Sequence, residues 1–213
     1  VYYWINRRDM AVPLNAGYVA LVNCANITAE HLNLTNNGQG LLLVDTTNST
    51  ITKNNMINNW HGIDLFWSDY NNVVENNLTD SGYGISIHDS SRNSISRNNM
   101  TNNEDVGIQL EGSNNLAQEN IVTNNVYLEY SRGISVGGSS NIISGNIVNG
   151  SRYNIDVSGD LPSHSIDSSN LVDGKPVYYL VNIKNEVINP STYPQVGYLA
   201  LIECINITVE GLT

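Results

Sequence analysis

The chain has 213 residues, of which 40% are hydrophobic and 14% are charged, and its formal net charge at pH 7 is −11. The hydrophobic fraction excludes a disordered chain, and the acidic balance argues against binding to nucleic-acid backbones. No apolar run approaches the roughly 18 residues that a membrane span requires, so no span is expected. Asparagine, with 35 copies, is the one unusual component.

A short motif of the form Asn-apolar-x-Asn/Asp recurs along the chain and sets its period. Its copies begin at Asn33, Asn55, Asn77, Asn99, Asn120 and Asn146. Successive first asparagines are 22, 22, 22, 21 and 26 residues apart. A unit of this length, with no helix-length segment, is too small to bury an apolar face alone, whereas stacked copies bury one continuous core. The spacing therefore predicts a repeat architecture with coils of about 22 residues.

A glycine column follows the asparagines and introduces an alternation of apolar and polar residues. The glycines are Gly40, Gly62, Gly84, Gly107 and Gly133. After Gly62, for example, Ile63 and Leu65 flank Asp64. A period of two predicts β-strands with one buried face. Strands that recur once per coil pair in parallel with their own copies, so the chain is predicted to be an all-β parallel β-helix solenoid.

Two further columns favour the stacking of like residues on like. Apolar residues stand four positions before most of the asparagines, at Ile51, Val73, Ile95, Leu116 and Ile142. Hydroxyl residues close most turns, at Thr46, Ser68, Ser90, Ser113 and Ser139. Stacked asparagine amides can bond to one another and so satisfy buried polar groups. Most of the asparagines are therefore interpreted as structural.

A second, longer period is visible in two pairs of similar segments. Residues 1–6 match residues 177–182, and residues 17–28 match residues 197–208. Residues 1–35 and 177–213 are therefore predicted to be equivalent segments of successive superunits of about 180 residues, within a single β-helix that covers residues 1–213. The chain is interpreted as a segment of a longer tandem array, or as a subunit with similar ends. Copies are expected to associate end to end, because the ends of a β-helix are unpaired strand edges.

These features together resemble a known family. The resemblance rests on the segment Asp173-Gly-Lys-Pro-Val-Tyr-Tyr179, on Asn26-Ile-Thr28 followed by residues 32–40, and on the serial Asn-Asn-x-x-Gly-Ile units. They are similar to right-handed β-helix repeats of the carbohydrate-binding and sugar-hydrolase (CASH) type, and most similar to repeats of large archaeal cell-surface proteins. The resemblance implies a right-handed helix and an extracellular or cell-surface location. It does not imply one activity, because the family includes enzymes, binding modules and surface scaffolds.

One group of outward residues has the content of a catalytic site. The strand alternation places Asp64, His88, Asp89 and Glu111 on one patch. Glycoside hydrolysis needs two carboxyl groups about 5 to 9.5 Å apart, and neighbouring coils offer that spacing. No column repeats a carboxylate on adjacent coils, so no catalytic residue is predicted. A polysaccharide hydrolase or lyase that uses Asp64, Glu111 and His88 is the alternative.

Aromatic residues cluster on the same coils and form the candidate binding surface. They are Trp60, Phe66, Trp67, Tyr70 and Tyr83, joined by Tyr127 and Tyr130 from a longer fifth coil. Exposed rings of this kind stack on sugar rings or pack on a neighbouring subunit. Because the ladder is regular and has no acid/base pair, the chain is predicted to be a non-enzymatic structural or adhesive surface module. Its expected partners are copies of itself and cell-surface glycans.

No cofactor or metal site is expected, although calcium held by scattered aspartates stays an alternative without a defined set of ligands. Asn-x-Ser/Thr sequons occur at several positions. Asn48 and Asn149, near turns, are the predicted glycosylation sites. Asn33, Asn77 and Asn99 are expected to be too deeply buried in the asparagine ladder for modification.

Overall fold

The structure, a computed structural model, describes residues 1–212 as a solenoid of about nine turns built from short strands. The strands of the first half are β1 (Tyr2–Ile5), β2 (Arg8–Ala11), β3 (Val19–Val22), β4 (Ala25–Glu30), β5 (Asn33–Thr35), β6 (Gln39–Val44), β7 (Thr50–Thr52), β8 (Asn55–Ile57), β9 (His61–Phe66), β10 (Asn72–Val74), β11 (Asn77–Thr79), β12 (Tyr83–His88), β13 (Ser94–Ser96) and β14 (Asn99–Thr101).

The second half adds the remaining strands and one short 3₁₀ helix, Leu161–Ser163. The strands are β15 (Val106–Ser113), β16 (Leu116–Gln118), β17 (Ile121–Thr123), β18 (Arg132–Ser139), β19 (Ile142–Ser144), β20 (Ile147–Asn149), β21 (Tyr153–Val157), β22 (Ser165–Ile166), β23 (Leu171–Val172), β24 (Lys175–Val181), β25 (Val187–Ile188), β26 (Tyr198–Ile202) and β27 (Thr208–Val209). Within residues 1–212, no helix is long and apolar enough to cross a membrane.

Three parallel sheets surround the core. The first sheet has the order β1-β3-β6-β9-β12-β15-β18-β21, and the second has β2-β4-β7-β10-β13-β16-β19-β22. The third runs β5-β8-β11-β14-β17-β20-β23 and continues into β24 and β26. Each strand pairs with its copy one coil away, so inward side chains stack in columns; Leu41, Ile63 and Ile85 form one of them. The predicted all-β parallel solenoid with coils of about 22 residues is confirmed.

Buried asparagines form a ladder at each of the three corners between sheets. The ladder between the second and third sheets contains Asn54, Asn76, Asn98, Asn120, Asn146 and Asn170. The backbone N–H of each donates to the side-chain oxygen of the next, as from Asn76 to Asn98 at 2.9 Å. The amide group in turn donates to a strand carbonyl of the preceding coil. These side chains therefore supply the hydrogen bonds that the backbone loses where the chain turns a corner.

The predicted asparagine column is confirmed from Asn33 to Asn99, whose members pair from coil to coil, and is wrong by one residue beyond them. Asn99 pairs with Ile121 rather than with Asn120, and Ile121 pairs with Ile147. The column that starts at Asn33 therefore points outward, and the buried ladder lies one position earlier. Asn33 and Asn99 are exposed and Asn77 is half-buried, so the expectation that their sequons are deeply buried was also wrong.

The same one-residue shift corrects the later members of the apolar column. Ala117 and Ile143 continue the inward column of Ile95, whereas Leu116 and Ile142 point outward. Both neighbours are apolar in these coils, so side-chain polarity does not distinguish the inward one.

The hydroxyl column changes in the same coils. Thr46, Ser68 and Ser90 are buried, and the backbone N–H of each of the first two donates to the hydroxyl of the next at 3.0 and 2.8 Å. The next position of this column is Gly112. Only glycine fits there, because a Cβ would lie 1.9 Å from the Ser90 carbonyl oxygen. Ser113 is half-buried and pairs with Ser139 instead. The predicted hydroxyl column therefore ends at Ser90.

A chain reversal follows the last regular coil. Asp173 and Gly174 have φ values of 47° and 77°, and β24 pairs with β23 in the antiparallel direction. Beyond it, β24 pairs in parallel with β26 and β25 with β27. The predicted equivalence of residues 1–35 and 177–213 stays a prediction, and Thr213 lies outside the described residues. In the part of the chain that the structure describes, Cys24 and Cys204 are free thiols.

Candidate functional site

The candidate site lies on the outer face of the first sheet, where β9 and β12 run side by side. His61, Asp64 and Phe66 of β9 lie opposite Tyr83, Ser86 and His88 of β12. The alternation of the strands breaks at their glycines: Gly62 and Ile63 both face the core, and a Cβ on Gly62 would meet Leu78 at 2.5 Å. His61 therefore points outward although simple alternation assigns it to the inner face.

Asp64 forms the floor of this site. Asp64 is only 1% exposed, because the imidazoles of His61 and His88 cover its carboxylate. His61 Nδ1 lies 3.7 Å from Oδ2 and His88 Nε2 lies 3.5 Å from Oδ1. Oδ1 has no hydrogen-bond partner among residues 1–212. The site therefore contains a buried carboxyl oxygen whose hydrogen-bonding capacity is unused.

Glu111 of β15 completes a line of three side chains. Its Oε2 lies 3.0 Å from His88 Nδ1, and the amide of Gln109 donates to its Oε1. The Glu111 side chain is 55% exposed. His88 thus stands between two carboxyl groups, and an imidazole can donate to both only when both of its nitrogens carry protons.

Burial shifts the titration of both inner groups of the site. It raises the pKa of the Asp64 carboxyl to about 6, with the nearby His88 and Gln39 acting in the opposite direction. Burial, together with the nearby His88, lowers the pKa of the His61 imidazole to about 4. At neutral pH, Asp64 is therefore ionised and His61 is uncharged.

Ring pairs stand on both sides of Asp64. His61 stacks on Tyr83 with ring centroids 4.7 Å apart, and Phe66 stacks on His88 at 4.6 Å. Trp60 meets the first pair edge-on at 6.5 Å, and Trp67 lies 6.1 Å from Phe66. Trp60 is 61% exposed and Trp67 is 57% exposed. The arrangement is a carboxylate between two aromatic platforms.

Three of the predicted binding residues do not contact this group. Tyr70 lies at the turn after β9, where the Arg92 guanidinium covers its ring at 5.4 Å from the centroid. Tyr127 and Tyr130 are exposed in the loop before β18. Asp89, also placed on the patch by strand alternation, lies at the exposed turn after β12. The structure therefore brings Asp64, His88 and Glu111 together and leaves these other side chains apart. The predicted binding residues that join them are Trp60, Phe66, Trp67 and Tyr83.

Positive charge is scarce on this sheet. Arg132 is the only Lys or Arg in its eight strands as the structure describes them. Its Nε lies 2.7 Å from Asp156 Oδ2, so its charge is already paired.

Sequence reasoning missed His61 and Gln109. His61 shares the parity of the inward Ile63 and Leu65, so strand alternation places it in the core, and only the break in alternation at Gly62 turns it outward. The recurring glycine itself was the available signal, since an isolated glycine in a strand pattern marks a bulge or a close backbone contact. Nothing in the sequence distinguishes Gln109 from the other polar residues at outward strand positions.

The predicted glycosylation sites differ in their surroundings. Asn48 is exposed at a turn with φ 51°. Asn149 is half-buried at the end of β20, and its Oδ1 is buried without a partner among the described residues. Within residues 1–212, no three His, Cys, Asp or Glu side chains are arranged to hold a metal ion.

Asp64→Asn is expected to stabilise the protein at pH 7.5 by about 1–2 kcal/mol, because it removes a buried charge. The folded-state pKa of Asp64, about 6, lies above its ordinary value of 3.8. The stabilising contribution of the protonated carboxyl is therefore complete below pH 3.8 and lost as pH rises through 6. The stability advantage of Asp64→Asn over the parent protein should therefore shrink between pH 7 and 4.

Urea denaturation at several pH values measures this difference in stability, with Asp45→Asn at an exposed turn as the control. A pH-independent difference would show that Asp64 does not titrate in this range.

Comparison with known proteins supports the architecture. Residues 17–171, well over half of the chain, match the family model described as a right-handed β-helix region. Among curated proteins, no significant sequence relative is found. Similar solved structures include the periplasmic alginate epimerase AlgG, at 17% identity and a TM-score of 0.49 over 90% of this chain and 50% of that one. A double mutant of AlgG gives 16% identity and a TM-score of 0.50, over 91% of this chain and 50% of that one.

A third similar structure is DFA-IIIase from Arthrobacter chlorophenolicus A6 without its lid, at 15% identity and a TM-score of 0.44, over 74% of this chain and 50% of that one. The chain thus spans about half the length of the solved structures that it matches. Identities this low describe the fold alone and assign no activity. The match of the family model and the parallel three-sheet solenoid together establish that this chain belongs to the right-handed β-helix family.

Proposed function

We propose that this chain is a non-enzymatic extracellular surface module that binds glycans through the outer face of its first sheet. The observation that carries the proposal is the pair of ring platforms on either side of Asp64. Trp60 and Trp67, more than half exposed, extend the stacked pairs toward solvent. Rings held rigidly by a β-scaffold stack on the apolar faces of sugars with little loss of conformational freedom.

Binding rather than cleavage is supported by the burial of Asp64. A hydrolase or lyase needs both of its catalytic carboxyl groups in reach of the substrate. Glu111 is accessible, but Asp64 lies beneath His61 and His88. The carboxyl pair that the sequence offered as the alternative therefore has only one member open to a ligand.

Trp60→Ala is expected to weaken glycan binding at least about tenfold, because a large exposed ring that stacks on the ligand contributes more than about 1.4 kcal/mol. Retention on a panel of immobilised polysaccharides, followed by calorimetry on the glycan retained, measures the effect. Ile142→Ala is the matched control, since Ile142 is an exposed apolar side chain on the second sheet.

Two outcomes count against the proposal. Equal affinities of the parent and Trp60→Ala would remove the ring platform as the binding surface. Release of reducing or unsaturated ends from any glycan, abolished in Glu111→Gln, would establish the enzymatic alternative instead.

A further inference from the structure

We propose, resting on the glycan-binding function above, that the ligand is a glycan with free amino groups, held at the exposed carboxylate of Glu111 beside the buried charge of Asp64. The class of ligand follows from three features of the first sheet: its lack of available positive charge, its buried carboxylate with an unused oxygen, and the position of Glu111 beside a ring platform.

The first feature excludes acidic polysaccharides. A polyuronate carries carboxylates along its length, and a protein that binds one supplies Arg or Lys side chains in return. Arg132 is the only such residue in the described strands of this sheet, and it is paired with Asp156 at 2.7 Å. His61 is uncharged at neutral pH because burial lowers its pKa to about 4. The sheet therefore has no free cation for an anionic sugar.

The second feature is a buried carboxylate with an unused oxygen. Asp64 is ionised at neutral pH and its Oδ1 has no hydrogen-bond partner within the described part of the chain. His88 Nε2 stands 3.5 Å from this oxygen without a hydrogen bond to it, while His88 Nδ1 lies 3.0 Å from Glu111 and His61 Nδ1 lies 3.3 Å from the Ser86 hydroxyl. A charge in such a poorly hydrated setting attracts a nearby cation more strongly than an exposed carboxylate does.

The third feature places the cation. Glu111 is the exposed member of the line Asp64–His88–Glu111. Its two oxygens, which already accept from His88 and Gln109, retain lone pairs for a third donor. The stacked rings of Phe66 and His88 lie beside it. An amino sugar that stacks on this platform brings its ammonium group, with three N–H donors, to Glu111 and into the field of Asp64.

The experiment compares three hexasaccharides by isothermal titration calorimetry at pH 6.5: β-1,4-linked glucosamine, its fully N-acetylated counterpart, and mannuronate. We expect the glucosamine hexamer to bind at least about tenfold more tightly than the N-acetylated one, as one charge-assisted hydrogen bond provides. No binding of the mannuronate hexamer is expected. Glu111→Gln should remove the preference for the free amine.

A matched variant separates this site from general attraction of a polycation to an acidic protein. Glu119→Gln removes the same charge at a turn on another face, 3.9 Å from Arg97, and should not alter the preference. Equal losses in Glu111→Gln and Glu119→Gln, equal affinities for the two glucosamine hexamers, or binding of mannuronate would each overturn the inference. If the N-acetylated hexamer still bound in a Trp60-dependent way, the proposed function would stand; if no glycan bound, both would fail.

Discussion

Asn98→Ala is expected to lower the free energy of unfolding by about 4 kcal/mol, because it leaves several buried polar groups without partners. The side-chain oxygen of Asn98 accepts from the backbone N–H and the amide of Asn76 at 2.9 and 3.0 Å. Its amide donates to the Val73 carbonyl at 2.9 Å and to the Asn120 side-chain oxygen at 3.1 Å. Alanine removes all four hydrogen bonds at once. Urea denaturation followed by circular dichroism measures the loss.

The adjacent Asn99 supplies the control. It points outward from β14, is exposed, and its amide donates one hydrogen bond, to Asn77 at 3.0 Å. Asn99→Ala is therefore expected to cost no more than about 0.5–1 kcal/mol. Similar losses in the two variants would mean that the buried ladder does not stabilise the corners of the solenoid, and that the outward column contributes as much.

Gly84→Ala is expected to destabilise the protein by about 3 kcal/mol, because the space for a Cβ is already occupied. A Cβ on Gly84 would lie 2.4 Å from the Gly107 carbonyl oxygen and 2.8 Å from Met100 Cγ. Met100 can adjust its side chain, but the carbonyl belongs to a strand of the next coil, whose movement disturbs the whole sheet. Thermal unfolding of the purified variant measures the effect.

Gly38→Ala tests whether the loss of stability is specific to the recurring glycine column that contains Gly84. Gly38 is exposed, and a Cβ there would meet nothing within 4 Å. The change is expected to alter stability by less than about 0.5 kcal/mol. A stable Gly84→Ala variant would show that neighbouring coils separate easily, contrary to a close-packed stack.

The Gly84→Ala variant also bears on the candidate site. Gly84 lies within β12, between Tyr83 and the strand residues that face Asp64. The added methyl presses against β15, which carries Glu111 opposite His88. Gly84→Ala should therefore disturb the His88–Glu111 contact and reduce glycan binding as well as stability.

The sequence by itself determined the architecture of this protein. A period of 22 residues, with glycines and alternating apolar residues at corresponding places, specifies parallel strands stacked in columns. It also indicated three members of the candidate site: His88 and Glu111 stand at equivalent outward places on successive strands, and Asp64 stands at the outward place two residues earlier on the preceding strand. Strand periodicity is a local property, and the same pairing rule then operates from coil to coil.

Only the tertiary structure decided the register of the later coils and the burial within the site. Two coils have a pair of adjacent apolar residues, Leu116–Ala117 and Ile142–Ile143, so polarity does not reveal which residue of each pair packs inside. Strand pairing decides it: Ala117 pairs with the inward Ile95, and Ile143 pairs with Ala117. Asp64 has the outward position of an exposed residue, yet it is buried because the break in alternation at Gly62 turns His61 over it and His88 reaches across from the next coil. Its accessibility therefore depends on side chains from two strands and on a backbone irregularity within β9, which strand alternation alone does not encode.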